Sequence, residues 1–236
     1  MLLYKGPSAI NGEPIVCIAT GTHNPSKNKK TGAMVQIWIL HAKYFPTIAV
    51  KKGEDEAICG DCKHRNKSCY VNVFQAPTNI WRSYIKGLYK KTKVPQAVKN
   101  RFVRIGAYGD MAALPEEINN KLVQYSKGHT AYTHQWKLPE AQYLKEIAVA
   151  SVDSINEYRQ AKKLGWQTFR IYKDSDQLIT EQRCIAQIIE NTQCLDCLKC
   201  NGNNQDICAK IHGAKYKINS FTEPLIQSYN KLHESN

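Results

Sequence analysis

Apolar residues fall in short runs along this 236-residue chain, separated by polar and glycine-rich segments. The runs Ile15-Val-Cys-Ile-Ala19 and Val35-Gln-Ile-Trp-Ile-Leu40 read as strands, and the basic turn from Asn24 to Gly32 between them predicts a hairpin. Trp81, Tyr84, Ile85 and Leu88 share one helical face by i, i+3, i+4 spacing, with Thr78 or Asn79 as the cap, which predicts a helix over 79–91. From residue 101 the two periodicities alternate: strand 101–105, helix 115–127 opened by Pro115, strand 131–134, a short helix 139–146, strand 147–152, helix 154–164 between an Asp153 or Ser154 cap and Gly165, and strand 167–172. With a further strand at 47–50 this makes five βα steps. The expected class is α/β: a full or partial (β/α) barrel of parallel strands behind an N-terminal hairpin, with a doubly wound open sheet as the alternative. Residues 1–180 form that unit, and 181–236 form a Cys-rich, metal-binding appendix.

In either architecture, function gathers at the carboxyl ends of the strands. Those ends carry Gly106 to Asp110, His134 to Trp136, Ser151 to Asp153, and Tyr172-Lys173. Gly106 and Gly109 let the backbone turn sharply and approach a ligand closely. Asp110, His134 and Asp153 are the candidate catalytic groups; each also has a structural reading, Asp110 and Asp153 as helix caps and His134 as a core histidine. Walker and dinucleotide fingerprints are absent, so nothing points to ATP or NAD.

The cysteines sharpen this picture. There are nine, an odd number. The N-terminus lacks the apolar core of a signal peptide and no run is long enough to span a membrane, which favours a cytoplasmic setting in which clustered cysteines bind metal rather than pair. Cys59-x2-Cys62-x6-Cys69 offers three thiolates, a bite that suits zinc or an iron–sulfur cluster with one position left for His64, another residue or chemistry. Cys194-x2-Cys197-x2-Cys200 resembles the ferredoxin run, with Cys184 or Cys208 to complete a [4Fe–4S] or Zn2+ site; Cys17 reads as a core thiol.

Charge adds a partner class. The formal net charge is +13. Between Asp61 and Asp110 there is no acidic residue, while Lys63, Arg65, Lys67, Arg82, Lys86, Lys90, Lys91, Lys93, Lys99, Arg101 and Arg104 are all basic. Aromatics interleave at Tyr70, Phe74, Trp81, Tyr84, Tyr89 and Phe102. Such a span favours nucleic acid, with Arg82, Lys86, Lys90, Lys91 and Lys93 as phosphate contacts and Trp81, Tyr84 or Tyr89 as stacking platforms.

Several motifs together resemble the phage- and plasmid-borne "gene product 88" family: Lys30-Thr-Gly32 with Gln36 to Leu40, Cys59-Gly-Asp-Cys62, Cys69-Tyr-Val-Asn-Val73, Gln75-Ala-Pro77 with Trp81, Arg104 to Asp110, Tyr132-Thr-His-Gln-Trp136, Ala150-Ser-Val-Asp153 and Gly165-Trp166. The similarity covers about residues 30 to 213. It implies a mobile-element origin and a bacterial host cytoplasm rather than an activity. More loosely, the chain is similar to radical S-adenosylmethionine enzymes, in which three cysteines after the first barrel strand hold a [4Fe–4S] cluster, a Gly-rich strand end helps hold the cofactor, and some members carry a second cluster. That resemblance implies a first cluster on Cys59, Cys62 and Cys69, S-adenosylmethionine near Gly106, Tyr108 and Gly109, and a second cluster on Cys184, Cys194, Cys197 and Cys200. The family's spacing is x3 then x2; here it is x2 then x6. The expected function is a phage or mobile-element iron–sulfur enzyme acting on or near nucleic acid. The alternatives are a zinc-stabilised nucleic-acid-binding protein and an inhibitor of a host factor.

Overall fold

The computed structural model describes residues 1–173, 177–203 and 205–221. Ten strands form two five-stranded sheets. In the first, β1 (Leu2–Pro7), β2 (Pro14–Thr20), β3 (Val35–His41), β4 (Phe102–Tyr108) and β5 (Gly128–Thr130) lie in sequence order. The hairpin of β2 and β3 is antiparallel, and β3, β4 and β5 are parallel. The second sheet runs β6 (Tyr132–Thr133), β7 (Val149–Val152), β8 (Thr168–Tyr172), β10 (Ile207–Lys210) and β9 (Gln182–Arg183), and every pairing in it is parallel. β5 and β6 are separated by Ala131 alone, so residues 128–133 tie the two sheets together. The protein is thus an α/β fold with one mixed sheet and one parallel sheet, and among the described residues each sheet is open, with β1 at an edge of the first and β9 at an edge of the second.

Near-continuous burial of β2, β3 and β7 explains why these strands read as apolar runs rather than alternating ones, as strands covered on both faces do. The core packs their Ile15, Ile18, Ile37, Ile39 and Val152 with Trp136 and Trp166.

Three expectations are corrected. Residues 47–50 are not a strand but the body of α1 (Pro46–Lys52): Pro46 fixes φ in the first turn, and Gly53, at φ 79, ends the helix in the left-handed region. One of the five βα steps is thereby lost, and the cysteine loop follows α2 (Glu56–Cys59), inside the β3-to-β4 crossover, rather than a strand. The helix expected over 79–91 is α3 (Ala76–Ile85), opened by Pro77; the Thr78 hydroxyl donates to Val73 O at 2.7 Å instead of capping. Gly87 turns the chain at φ 69, so Ile85 and Leu88 are exposed rather than on a buried stripe.

The remaining helices are α4 (Val94–Val98), α5 (Glu116–Gln124), α6 (Ile155–Lys163), α7 (Ile185–Ile188), α8 (Cys194–Cys197) and α9 (Lys215–Ser220). Residues 139–146 form a 3-10 helix. The segment from 181 contributes β9 and β10 to the second sheet; it carries Cys184, Cys194, Cys197 and Cys200 on and around α7 and α8, and Cys208 on β10. Of the expected appendix 181–236, residues 222–236 lie outside the described residues.

Candidate metal centre

Cys59 ends α2, and Gly60 turns the chain at φ 54. The following residues coil tightly: Cys62 N donates to Cys59 O, Arg65 N to Cys62 O and Cys69 N to His64 O. Arg65 locks the coil from within, donating to Gly60 O at 2.7 Å, Gly53 O at 2.6 Å and Asp55 at 2.8 Å. The three thiols share one coil, and Cys59 lies within electrostatic reach of the other two. Burial, then Cys69 and Cys62, raise the Cys59 thiol well above its usual range; burial raises Cys62 to about 12. The backbone N–H groups of His64 and Val71 pull the Cys62 and Cys69 thiols down against burial.

The coil sits on the strand ends. Asp110, just after β4, donates its N–H to Ile58 O at 2.6 Å. Gln135, just after β6, donates Nε2 to Cys59 O at 3.0 Å. Beneath lies Tyr108, buried, with its hydroxyl lacking a hydrogen-bond partner; burial and then Cys59, Asp55 and Cys69 raise that hydroxyl well above its usual range. An orphaned hydroxyl within electrostatic reach of Cys59 and Cys69 fits a centre completed by a bound group.

The rim residues converge, though with different roles. Both Asp110 carboxylate oxygens are committed, one to Ala112 N at 2.9 Å as a cap and the other to His134 N at 2.8 Å. Asp110 therefore joins the ends of β4 and β6, and burial raises its carboxyl. Asp153 ends β7 and faces two imidazoles: His64 Nε2 at 2.9 Å from Oδ1 and His134 Nε2 at 3.8 Å from Oδ2. His64 thus turns to Asp153, and its Nδ1 lies 2.6 Å from Ser68 Oγ. Burial pushes the Asp153 carboxyl up, but the His64 bond and the charges of His134, His64 and Lys63 hold it below its usual range; burial lowers His134 against the pull of Asp153. The close approach that Gly106 and Gly109 permit is to backbone. A Cβ on Gly106 would lie 2.8 Å from Gly109 O, and one on Gly109 would lie 2.7 Å from Ile39 O.

In the second set, Cys184, Cys194, Cys197 and Cys200 lie within electrostatic reach of one another, and the backbone N–H groups of Ala186 and Gln187 pull the Cys184 thiol down against burial. Cys208 instead faces Glu181, Arg170 and Arg183. Cys194 N donates to Lys30 O, which seats α8 on the turn before β3. The Arg104 guanidinium reaches toward Cys194 and donates to Tyr70 Oη at 2.5 Å. Among the described residues no carboxylate pairs with Arg104, and its Nε has no partner.

Sequence reasoning gave no role to Arg65, to Ser68, to Arg104 as a link between the two sets, or to Glu157. Glu157 accepts from Asp153 N at 2.9 Å and pairs with Lys63 and Lys137. The pattern Ser154-x-x-Glu157 carries a capping-box signal that could have found it. Nothing local marks the others, which meet across long stretches of chain. The proposed phosphate contacts Arg82, Lys86, Lys90, Lys91 and Lys93 are all exposed.

Comparison of the chain with protein-family models, with curated proteins and with solved structures gives no match. Among the described residues no helix is long and apolar enough to cross a membrane.

Proposed function

We propose that this chain is an iron–sulfur-dependent enzyme of radical-SAM-like design on a partial (β/α) barrel, encoded by a phage or plasmid and acting on or near nucleic acid in a bacterial cytoplasm. The observation that carries the reading is the anchoring of the Cys59 end of the cysteine coil to Asp110 and Gln135, which follow the parallel strands β4 and β6, near the unpartnered Tyr108 hydroxyl. Parallel α/β folds place their chemistry at such strand ends. Bound there, a [4Fe–4S] cluster would supply an electron to S-adenosylmethionine. Cys59, Cys62 and Cys69 would hold that cluster, while Arg65 and Gln135 fix the loop and His134 and Asp153 line the adjacent cleft. Cys184, Cys194, Cys197 and Cys200 would hold a second centre. Arg104 and Lys30, the cations beside it, offset the negative charge that four thiolates bring.

The test is metal and acid-labile sulfide content with a visible spectrum on protein purified without oxygen, followed by electron paramagnetic resonance of the reduced protein with and without S-adenosylmethionine. Iron and sulfide in equal amounts, and a spectrum altered by the cofactor, are expected. Zinc alone would overturn the enzyme reading. One observation favours a second reading, a zinc-stabilised nucleic-acid-binding protein: Lys86, Lys90, Lys91 and Lys93 stand exposed beside exposed Ile85 and Leu88. On that reading, single-strand binding weakens steeply with salt.

A further inference from the structure

Next to the cysteine coil lies a cluster of different chemistry. His64 belongs to the coil, His134 follows β6 and Asp153 ends β7, so three separate segments deliver two imidazoles and one carboxylate to one point. Their ligating atoms all lie within 4.8 Å of one another. A divalent ion bound at about 2.1 Å by nitrogen and oxygen sets its ligand atoms about 3.4 Å apart in a tetrahedral site. The Asp153 contacts of 2.9 Å to His64 and 3.8 Å to His134 bracket that spacing.

We propose that His64, His134 and Asp153 form a mononuclear site for a divalent first-row transition ion, separate from both cysteine sets. Two imidazoles and a carboxylate, with positions left open, are the donor set of non-haem iron(II) and related manganese(II) centres.

The surroundings are those of a held ligand set. Ser68 Oγ lies 2.6 Å from His64 Nδ1, which orients the ring with Nε2 toward the ion. Phe221 stacks on the same ring at 5.6 Å and 8°. Asp110 anchors the His134 backbone, and Glu157 accepts from the Asp153 backbone. The nearest cations, Lys63 and Lys137, are both turned onto Glu157 rather than onto Asp153. A small cleft runs from Asp61 and Cys62 to Ser151 past His134 and Asp153, and gives the open positions a route to solvent. A water or a substrate oxygen can occupy them. The inference does not rest on the cluster reading: it holds if the cysteines carry zinc.

Manganese(II) is the probe, because it prefers nitrogen and oxygen donors over thiolates. The full-length protein, with its cysteine sites loaded as purified, is titrated with manganese(II), and the free-ion resonance signal is followed. Uptake of one ion per chain is expected. Pulsed resonance on the wild-type complex should show nitrogen couplings from two imidazoles, a readout that needs no variant. Asp153→Asn and His134→Gln should weaken binding at least about tenfold with unchanged circular dichroism, and Asp153→Asn should leave iron and sulfide content unchanged. Cys62→Ser should keep the manganese site while altering the cysteine centre. An undiminished free signal at millimolar protein overturns the proposal. So does bound manganese without nitrogen coupling, or binding that survives in Asp153→Asn.

Discussion

Gly60→Ala tests how the first cysteine coil is seated. The Gly60 backbone sits at φ 54, ψ −135. A side chain in such a sparsely populated region costs about 1–3 kcal/mol. The added Cβ would also stand 2.3 Å from Gln135 Oε1, 2.4 Å from Cδ and 2.6 Å from Nε2. The amide must leave, and its 3.0 Å bond to Cys59 O goes with it. Losing a buried bond and orphaning its partners costs about 1–3 kcal/mol. The total is about 2–6 kcal/mol, large against a typical domain stability of about 5–15 kcal/mol. Urea denaturation of metal-free wild type, Gly60→Ala, Gln135→Ala and the double variant isolates the contact. Gln135→Ala removes the group that the new methyl meets, so the double variant should be more stable than the sum of the single losses by about 1–3 kcal/mol. Additivity within about 0.5 kcal/mol would refute the contact, and with it the docking of the coil on the end of β6.

Three further outcomes are expected. Gly202→Ala places a Cβ 2.7 Å from Lys145 O and 2.8 Å from the N atoms of Ile147 and Ala148, all backbone, at φ 91; thermal melts should show a loss above about 2 kcal/mol. Asp206→Ala should cost about 3–5 kcal/mol in denaturant titrations, because Thr168 N, Lys162 Nζ and Tyr158 Oη all donate to a carboxylate that is nearly buried. Burial lowers the pKa of His129, so the unfolded chain binds its proton first: stability should be full above about pH 6.5 and fall as pH drops below it, and His129→Gln, which keeps a donor for Ile147 O, should flatten that fall.

Two kinds of strand were legible from sequence: β2, β3 and β7, buried on both faces as apolar runs, and β4 and β8, whose burial alternates along the strand. β2, β3, β4, β7 and β8 emerge close to their expected bounds, and the polar groups at their carboxyl ends meet. The stretch 47–50 misled because Thr-Ile-Ala-Val is strand-like in composition, while Pro46 and Gly53, which fix it as a helix, lie outside the run. β1, β9 and β10 escaped because they are short or only partly apolar and are defined by their neighbours. Which cysteine completes the second set was open between Cys184 and Cys208, since spacing does not distinguish them. In the fold, Cys208 lies on β10 beside β8 and within electrostatic reach of Glu181, and Cys184 precedes α7 within electrostatic reach of Cys197.

The acid-free span from Cys62 to Gly109 reads as one positive field, but the fold divides it. Lys63 is spent on Glu157, and Arg65 on Asp55 and two carbonyls. Arg104 reaches between Tyr70, the residue after Cys69, and Cys194, so a single guanidinium touches the surroundings of both cysteine sets. The charge that stays exposed, on Arg82, Lys86, Lys90, Lys91 and Lys93, lies on and after α3, whose Trp81 Nε1 donates to His41 O at the end of β3, while the Lys90 carbonyl accepts from Leu2 N on the edge strand. The single basic span of the sequence thus divides in the fold into exposed cations and cations that hold the coil in place.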